Sequence, residues 1–327
     1  MICRSKAING DNTMRYGFYL PTRGPTSDAD SLVKIVEEAE RLDFDSTVIA
    51  DHVVFPVQIE SSYPYTVGGN FPGGWETLEQ LSLIAFIAGK TRDLRLITSV
   101  MILPHRNPVV TAKMLATIDV LSKGRLTVGV GVGWLREEFE TLGCFEFDRR
   151  GALSDEYLKI FKILWSQEPA SFDGEFYRFD ALHFLPKPVQ IPYPPIWIGG
   201  HSRPALRRVA RFADGWHPVG ANPAVPLQPN QFAQSCDELR RLTELEGRRY
   251  EDLTICFKAP LYDKETTTVS GIDRRPFSGS TSQVVDDIGT YGDLGVHELI
   301  FDFRSDALNE TLERMAQFRE EICSQAP

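Results

Sequence analysis

The stretch Gly124–Gly143 (GRLTVGVGVGWLREEFETLG) contains the pattern that decides the fold of this chain. A short run rich in branched apolar residues, Arg125–Val130, is typical of a buried strand, and its end runs into the alternating glycines of Gly129–Gly133. The residues that follow, Arg136–Leu142, have the spacing of a helix. The stretch therefore predicts one strand followed by one helix.

The same unit recurs on both sides of this stretch. Seven further strands are predicted, at Arg15–Leu20, Ser46–Ala50, Leu94–Val100, Pro195–Ile198, Gly215–Val219, Leu253–Ala259 and Val296–Phe303. Helices are predicted between them, at about Ser27–Leu42 with Ser27 as its cap, then Trp75–Lys90, Pro108–Leu121, Ser154–Trp165, Arg203–Phe212, Asn230–Glu246, Ser280–Leu294 and Asp306–Ile322. Strands that alternate with helices favour a parallel sheet with right-handed crossovers, and eight strands predict an α/β fold of the single (β/α)8 TIM-barrel type. A doubly wound open sheet is the alternative.

Two segments do not fit the repeat, and we expect both to be insertions in βα loops. Residues 171–185 (SFDGEFYRFDALHFL) carry the turn signal Asp173–Gly174 and predict an inserted hairpin. The barrel domain is expected to span residues 15–323, with residues 1–14 as a disordered or extended N-terminal tail and residues 324–327 as a C-terminal tail.

The second insertion, residues 51–74, has no regular pattern and contains four aromatic residues, Phe55, Tyr63, Tyr65 and Phe71. Long irregular loops in compact domains are usually functional or disordered. These aromatic side chains suggest a lid over an apolar substrate or ring system, with a solvated loop as the alternative.

The composition excludes several classes of protein. The chain has 327 residues, with 35 basic and 45 acidic side chains and a net charge of −10. A net negative charge of this size argues against nucleic acid or an anionic membrane surface as the main binding partner. No run reaches about 18 consecutive apolar residues, and the N-terminus lacks the apolar segment of a signal peptide, so we expect no membrane span and a cytoplasmic location.

The spacing of cysteine and histidine predicts no metal site. The five cysteines are scattered without a C-x-x-C pair, and none of the six histidines is paired at the spacing of metal ligands. The nucleophile motif G-x-S-x-G of serine hydrolases is also absent from the sequence.

The ends of four predicted strands carry the residues that point to function, because active sites of such barrels lie where strands end. Strand two runs into Asp51 and His52, strand three runs into Ser99 and Val100, and strand four ends in Gly129–Trp134 (GVGVGW). After strand five, Gly199–Ser202 (GGHS) places two glycines and a serine before a helix, an arrangement that leaves backbone N–H groups free for an anion. A plain glycine-rich turn with a serine cap is the alternative.

Several short motifs, in this order and spacing, resemble the bacterial luciferase-like superfamily of oxidoreductases, and more narrowly its branch that uses the deazaflavin coenzyme F420. The resemblance covers roughly residues 15 to 318 and rests on Gly124–Gly143, Asp155–Leu158 (DEYL), Phe172–Tyr177 (FDGEFY), Pro186–Gln190 (PKPVQ), Pro195–Ser202 (PIWIGGHS) and Ala213–Trp216 (ADGW).

The resemblance implies where the cofactor lies. The ring of coenzyme F420, or alternatively of FMN, is expected in the barrel mouth, against a bulge at the end of strand three that contains a cis peptide bond between Ser99 and Val100. The implied cofactor-binding residues are Ser99, Val100, Asn107, Gly131, Gly133, Gly199, Gly200, His201 and Ser202, with the last four forming the phosphate loop.

The implied catalytic residues are His52, Asp51 and Trp134, and one of them departs from the family pattern. The sugar-phosphate dehydrogenases of the family carry an acidic residue directly after the strand-four glycines, where this chain has Trp134. Glu137 and Glu138 follow at a distance of one or more turns, with a solvent-facing orientation left open for both. Trp134 and the aromatic lid instead favour a bulky or apolar substrate held by contact area.

The leading hypothesis is therefore an F420-dependent oxidoreductase that transfers a hydride to or from a bulky or apolar organic substrate, such as a carbonyl, an alcohol or an activated alkene. A monooxygenase that uses reduced FMN is the alternative, and a flavin-binding protein without turnover is a second one. The resemblance also implies a homodimer.

Overall fold

Eight parallel strands close into a barrel in the part of the chain that the computed structural model describes, residues 13–144, 146–259 and 274–326. The strands, in chain order, are β1 (Arg15–Tyr19), β2 (Ser46–Ile49), β3 (Arg95–Thr98), β4 (Met101–Ile102), β5 (Leu126–Gly131), β6 (Ala170–Asp173), β7 (Arg178–Leu182), β8 (Ile196–Gly199), β9 (Gly215–His217), β10 (Thr254–Ala259) and β11 (Glu298–Phe301). The barrel order is β3-β2-β1-β11-β10-β9-β8-β5, and pairing of β3 with β5 closes the ring. The predicted (β/α)8 barrel is confirmed, and the open doubly wound sheet is excluded.

Helices connect these strands and cover the outside of the barrel. They are α1 (Ala29–Arg41), α2 (Gln80–Ala88), α3 (Pro108–Leu121), α4 (Arg136–Thr141), α5 (Arg150–Ser166), α6 (Arg203–Phe212), α7 (Pro229–Leu245), α8 (Thr281–Asp293) and α9 (Leu308–Phe318). None of the described helices combines the length and the apolar character needed to cross a membrane. Most predicted bounds agree with these to within two residues.

Several helix bounds differ from the prediction: α5 begins at Arg150 rather than Ser154, and α9 ends at Phe318 rather than Ile322. At the starts of α1 and α2, a capping side chain explains the difference. Asp28, and not Ser27, caps α1, because its carboxylate accepts hydrogen bonds from the backbone N–H groups of Asp30 and Ser31, both at 3.0 Å. Helix α2 begins at Gln80 rather than Trp75, because Glu79 accepts from the N–H of Ser82 at 2.7 Å and so fixes the first turn.

Strand three is interrupted where the sequence predicts a continuous strand over residues 94–100. Strand β3 ends at Thr98, the peptide bond between Ser99 and Val100 is cis as expected, and the chain resumes as β4. Strand β4 pairs with β5 through Met101–Val130 and Ile102–Gly131. The interruption forms a bulge at the barrel mouth.

The segment in which the sequence predicts a hairpin forms a two-stranded antiparallel ribbon from β6 and β7. Glu156 on α5 holds this ribbon, because its carboxylate accepts from the backbone N–H groups of Glu175, Phe176 and Tyr177. The ribbon therefore lies outside the barrel and is fastened to the helix before it.

A buried ionic cluster closes the opposite end of the barrel, where the strands begin. Glu298, at the start of β11, is fully buried and accepts from Arg95, Arg15 and Ser46. Burial acts to raise the pKa of the Glu298 carboxyl, but the charges of the two arginines act against it, so the net pKa lies below its ordinary value. Glu298 is therefore charged in the folded protein.

Replacing Glu298 by glutamine should lower the free energy of unfolding by about 1.5–3 kcal/mol, because the half-buried Arg15 and Arg95 then lose the buried carboxylate that accepts their charged hydrogen bonds. Urea unfolding at pH 7 measures this loss, with Glu251→Gln as the control, since Glu251 pairs with Arg240 on the surface and should change little. Because the folded-state pKa of Glu298 is lowered, its contribution is present above its unfolded pKa and is lost as the pH falls below about 4.5. An unchanged urea midpoint in Glu298→Gln would contradict this account.

Candidate active site

The carboxyl ends of the barrel strands surround one large cavity, with a volume of about 1020 Å³. Its walls come from the loops after β1, β2, β5, β8, β9 and β11, from the end of strand β10 and from the bulge between β3 and β4. Most of the predicted site residues line it: Asp51, His52, Ser99, Val100, Gly131, Gly133, Trp134, Gly199, Gly200 and Ser202. The structure therefore brings these residues to one place, as expected for strand ends in a barrel.

His52 lies directly after β2 and is held by a buried carboxylate that the sequence did not assign to the site. Its Nδ1 is 2.8 Å from Oε2 of Glu138 on α4. The other carboxylate oxygen of Glu138 accepts from the backbone N–H groups of Val53 at 2.7 Å and Val54 at 3.2 Å. Glu138 thus fixes both the histidine ring and the chain that follows it.

The solvent-facing orientation that was left open for Glu138 is wrong. The side chain is fully buried, because α4 turns it inward against the start of the loop after β2. Burial acts to raise the pKa of Glu138, but the hydrogen bond and the charge of His52, together with the nearby His105, lower it below its ordinary value. An ionised Glu138 accepts a hydrogen bond from Nδ1–H of His52, so Nε2 is the nitrogen left for a ligand.

Asp51 has a different role from its neighbour, because both of its carboxylate oxygens are already occupied. They accept from the guanidinium of Arg106 in two hydrogen bonds of 2.8 Å, and one of them also accepts from the N–H of Ile102 at 2.8 Å. Arg106 bonds in addition to Glu79, the cap of α2, at 2.7 Å. This geometry makes Asp51 a positioning residue for the bulge and gives no support to its predicted use in catalysis.

Val100, in the bulge, forms an apolar surface that only glycines can accommodate. A Cβ atom added to Gly131 would lie 2.6 Å from Val100, and one added to Gly199 would lie 2.7 Å from it. These approaches are closer than side chains tolerate, so both strand ends must lack a side chain. The result is a shallow apolar slot between β4, β5 and β8 that a flat ring can occupy.

One end of this slot is suited to an anion. Ser202 caps α6, and the backbone N–H groups of Gly200, His201 and Ser202 donate to no acceptor in the described ranges. Arg150 lines the same part of the cavity and donates only to the carbonyl oxygens of Gly133 and Phe147. Free N–H groups at a helix start and an unpaired guanidinium are the groups that bind phosphate.

Two predicted cofactor ligands do not reach this cavity with their side chains. Asn107 caps α3, accepting from the N–H groups of Val109 and Val110, and donates to Tyr177 Oη at 2.8 Å in the ribbon. The His201 side chain lines a smaller cavity between α6 and α7. Asn107 is therefore corrected to a helix cap, and only the backbone of His201 adjoins the anion site.

The aromatic residues of the loop after β2 pack together over the cavity and against Trp134, which follows β5. The ring centroid of Trp134 lies 5.8 Å from that of Phe71, in a stacked arrangement, 5.0 Å from that of Tyr63 and 6.1 Å from that of His52. Phe55 stacks on Phe71 at 4.9 Å. Trp134 therefore contributes to an apolar wall of the cavity.

Glu137, next to Glu138 on α4, fastens a second part of the same loop. One of its carboxylate oxygens accepts from the N–H groups of Glu60 at 2.7 Å and Ser61 at 3.0 Å. The two adjacent glutamates therefore hold the loop at residues 53–54 and at residues 60–61.

Sequence reasoning missed a buried polar chain at the floor of the cavity. Lys258 Nζ donates to Ser99 Oγ at 3.0 Å, and Ser99 Oγ is 2.9 Å from His217 Nε2. Because His217 Nδ1 lies 2.9 Å from the carbonyl oxygen of Cys256, Nδ1 carries the proton and Nε2 accepts from Ser99. The sequence feature that could have indicated this polar chain is the lysine in an otherwise apolar strand, LTICFKA, at residues 253–259.

Burial shifts the pKa values of both ionisable groups in this chain. Burial lowers the pKa of His217 to about 3, so its imidazole is neutral at pH 7. Burial also lowers the pKa of Lys258, and the charge of Arg304 adds to this, giving about 8. Lys258 is therefore a cation at pH 7, although burial disfavours its charged form.

The replacement Glu138→Leu should loosen the start of the lid, because His52, Val53 and Val54 each lose their hydrogen-bond acceptor. We expect faster amide hydrogen exchange in residues 52–62 and a loss of about 1–3 kcal/mol in the free energy of unfolding. The matched control is Glu140→Leu, on the exposed side of the same helix. Equal exchange rates in the two variants would show that Glu138 does not hold the loop.

Comparison with known proteins agrees with this geometry. The model of the family described as luciferase-like monooxygenase matches residues 14–270. An uncharacterised protein of Mycobacterium tuberculosis is 32% identical over 255 residues, covering 77% of this chain and 83% of that protein. The FMNH2-dependent dimethylsulfone monooxygenase of Pseudomonas putida is 36% identical over 146 residues, 44% of this chain and 40% of that enzyme.

Among solved structures, an F420-dependent secondary alcohol dehydrogenase in complex with an F420-acetone adduct has the same fold, with a TM-score of 0.75 over 96% of this chain and 100% of that one. The two sequences are 14% identical, so the likeness is one of fold. The family match, which covers most of the chain, decides the assignment: this chain belongs to the luciferase-like monooxygenase family.

Proposed function

We propose that this chain is an oxidoreductase that holds a flavin or deazaflavin in the barrel mouth and uses His52 to exchange a proton with the substrate. The observation that carries the proposal is the pair His52–Glu138. Its hydrogen bond, 2.8 Å long, leaves Nε2 of the histidine as the free nitrogen at the edge of the cavity. The pair stands beside the slot formed by Val100, Gly131 and Gly199.

The residues present fit a phosphate-bearing ring cofactor. The donors at one end of the slot are the N–H groups of Gly200, His201 and Ser202 and the guanidinium of Arg150, and all of them are free of carboxylate partners within the described ranges. In the slot itself, the Val100 side chain packs on the bare backbone of Gly131 and Gly199 and presents an apolar surface to a flat ring. This donor set suits the phosphate of FMN and of a deazaflavin equally.

The chain's own residues supply orientation, a proton and exclusion of water. When bound, the cofactor supplies or accepts the hydride. Glu138 keeps the proton of His52 on Nδ1, so Nε2 takes a proton from an alcohol or, once charged, returns one to a carbonyl oxygen. The aromatic wall of Tyr63, Phe71 and Trp134 shields this place from solvent.

Between the two cofactors, we propose coenzyme F420 and hydride transfer as the reaction. An oriented proton-transfer group beside the ring slot is what the interconversion of an alcohol and a carbonyl requires, since each hydride is matched by one proton. An FMNH2-dependent monooxygenase is the second candidate, favoured by the identity of 36% to an enzyme of that name over less than half of either chain. The homodimer stays a prediction.

Binding titrations should separate the two cofactors. Because Trp134 lines the cavity, tryptophan fluorescence should be quenched when a ring cofactor enters. We expect oxidised F420 to bind at least tenfold more tightly than FMN, a difference of about 1.4 kcal/mol. The reverse order would support the monooxygenase, with oxygen uptake in the presence of reduced FMN as the next assay, and binding without any turnover would support a flavin-binding protein.

Replacement of the proposed proton-transfer residue, His52→Asn, should lower kcat by roughly 100-fold or more while the dissociation constant of the cofactor changes only a few fold. The control Arg150→Met should show the opposite pattern, with cofactor affinity weakened at least tenfold. Steady-state kinetics and the fluorescence titration measure the two effects. An unchanged kcat in His52→Asn would remove the histidine from the mechanism.

A further inference from the structure

The lining of the large cavity is positively charged, although the protein as a whole carries a net charge of −10. Five cationic side chains and two carboxylates from the described ranges line it: Arg23, Arg150, Arg208, Lys258 and Arg304, with Asp51 and Asp302. A cavity of this charge in an acidic protein attracts anions.

Ion pairs neutralise only part of this lining. Asp302 pairs with Arg304, Arg208 pairs with Asp155 behind the cavity wall, and Asp51 is taken by Arg106. Within the described residues, three lining cations have no carboxylate within 4 Å, namely Arg23, Arg150 and Lys258.

These three cations belong to two separate places. Arg150 lies at the anion site before α6, where the proposed cofactor phosphate binds. Lys258 lies near the end of β10, and Arg23 follows β1, so both lie on the side of the barrel formed by β10, β11 and β1. A phosphate bound at Arg150 therefore does not neutralise the charges of Lys258 and Arg23.

Within the described residues, Lys258 has fewer hydrogen-bond acceptors than its ammonium group has donors. Nζ donates to Ser99 Oγ at 3.0 Å and weakly to the Ser99 carbonyl oxygen at 3.4 Å, and it lies 5.0 Å from the centre of the Tyr19 ring. These two acceptors leave one of the three N–H bonds without a partner in the described part of the chain. A buried cation with an unused donor is costly unless a ligand completes it.

The surroundings of Arg23 connect this cationic place to the aromatic wall. Arg23 lies 5.2 Å from the ring centre of Phe71 and donates to the carbonyl oxygen of Gly73 at 3.2 Å. The cationic groups of Arg304 and Lys258 lie 5.5 and 5.0 Å from the centre of the same ring, that of Tyr19. An anionic group beside Tyr19 would therefore carry its apolar body toward Phe71 and Trp134.

The cavity is large for a ligand site. Its volume of about 1020 Å³ lies at the upper end of the range of about 300–1,000 Å³ that sites for drug-sized ligands commonly have. A substrate bound together with the ring cofactor would occupy the part of the cavity that the aromatic wall and Lys258 line.

We propose that the substrate is an organic acid with a bulky apolar body, whose carboxylate is bound by Lys258 with Arg23 as the second cation. This inference rests on the proposed function for the reaction itself, but the anion site stands on the residues that line the cavity. Lys258 is a specificity-determining residue in this proposal, and Ser99 and His217 position it.

The test compares two ligands of the same shape, 2-naphthoate and its neutral amide 2-naphthamide, by isothermal titration calorimetry. The protein is first saturated with whichever of F420 and FMN it binds, so that the anion site before α6 is occupied. We expect naphthoate to bind at least tenfold more tightly than the amide. Lys258→Met should reduce the preference to within about twofold, and Lys258→Arg should retain it.

Lys90→Met, at an exposed lysine outside the cavity, is the control and should leave the preference unchanged. Thermal melting and cofactor affinity show whether each variant is folded. If Lys258→Met does not fold, Arg23→Gln replaces it, with an expected several-fold loss of the preference.

Equal binding of the two ligands by the wild type, or a preference that survives Lys258→Met, would overturn the inference while leaving the proposed function intact. If neither cofactor binds, the proposed function fails, and the same two ligands measured on the unloaded protein still decide whether Lys258 selects an anion.

Discussion

The buried carboxylate of Glu138 is the interaction on which the arrangement of the site depends. It accepts hydrogen bonds from a side chain and from two backbone N–H groups that lie more than 80 residues earlier in the chain. A single ionised group thereby sets the tautomer of His52 and the path of the lid. Because a buried carboxylate without donors is strongly unfavourable, the loop after β2 and helix α4 must form together.

A second buried carboxylate, that of Asp51, fixes the position of the residues at the floor of the cavity. Asp51 links the end of β2 to Arg106 and to the N–H of Ile102, just beyond the bulge. The bulge therefore has a fixed position relative to His52, the next residue in the chain. Val100 can then pack against the bare backbone of Gly131 and Gly199. Neighbouring residues thus have separate tasks, with Asp51 shaping the slot and His52 facing it.

The sequence predicts the barrel well because each strand is a short apolar run and each helix has its own period and cap. It also locates the strand ends, since parallel strands bring their carboxyl ends together. Side-chain contacts between distant elements are not encoded in such local patterns. Glu138 is an example, since its inward orientation depends on how α4 packs, and the six-residue helix has no pattern that reveals this.

Asn107 and Lys258 are two further residues whose roles local sequence patterns do not reveal. The site prediction included Asn107 and omitted Lys258. Asn107 precedes a proline at the start of a helix. This pattern is equally typical of a helix cap and of a loop residue that binds a ligand, and it is the structure that shows Asn107 as the cap of α3. Lys258 is hidden in an apolar strand, where a charged residue near the end commonly points to solvent. Its burial follows from the bulge after β3, which places the oxygens of Ser99 within its reach.

The distribution of charge gives the cavity two separate places for an anion. The backbone N–H groups before α6 and Arg150 supply donors at one part of the lining, and Lys258 and Arg23 supply cations at another. Among the described residues, no carboxylate lies within 4 Å of these three cations, so each part of the lining can attract an anion. Such an arrangement favours a pair of anionic ligands, and His52, which lines the same cavity, is the group that exchanges the proton in the proposed reaction.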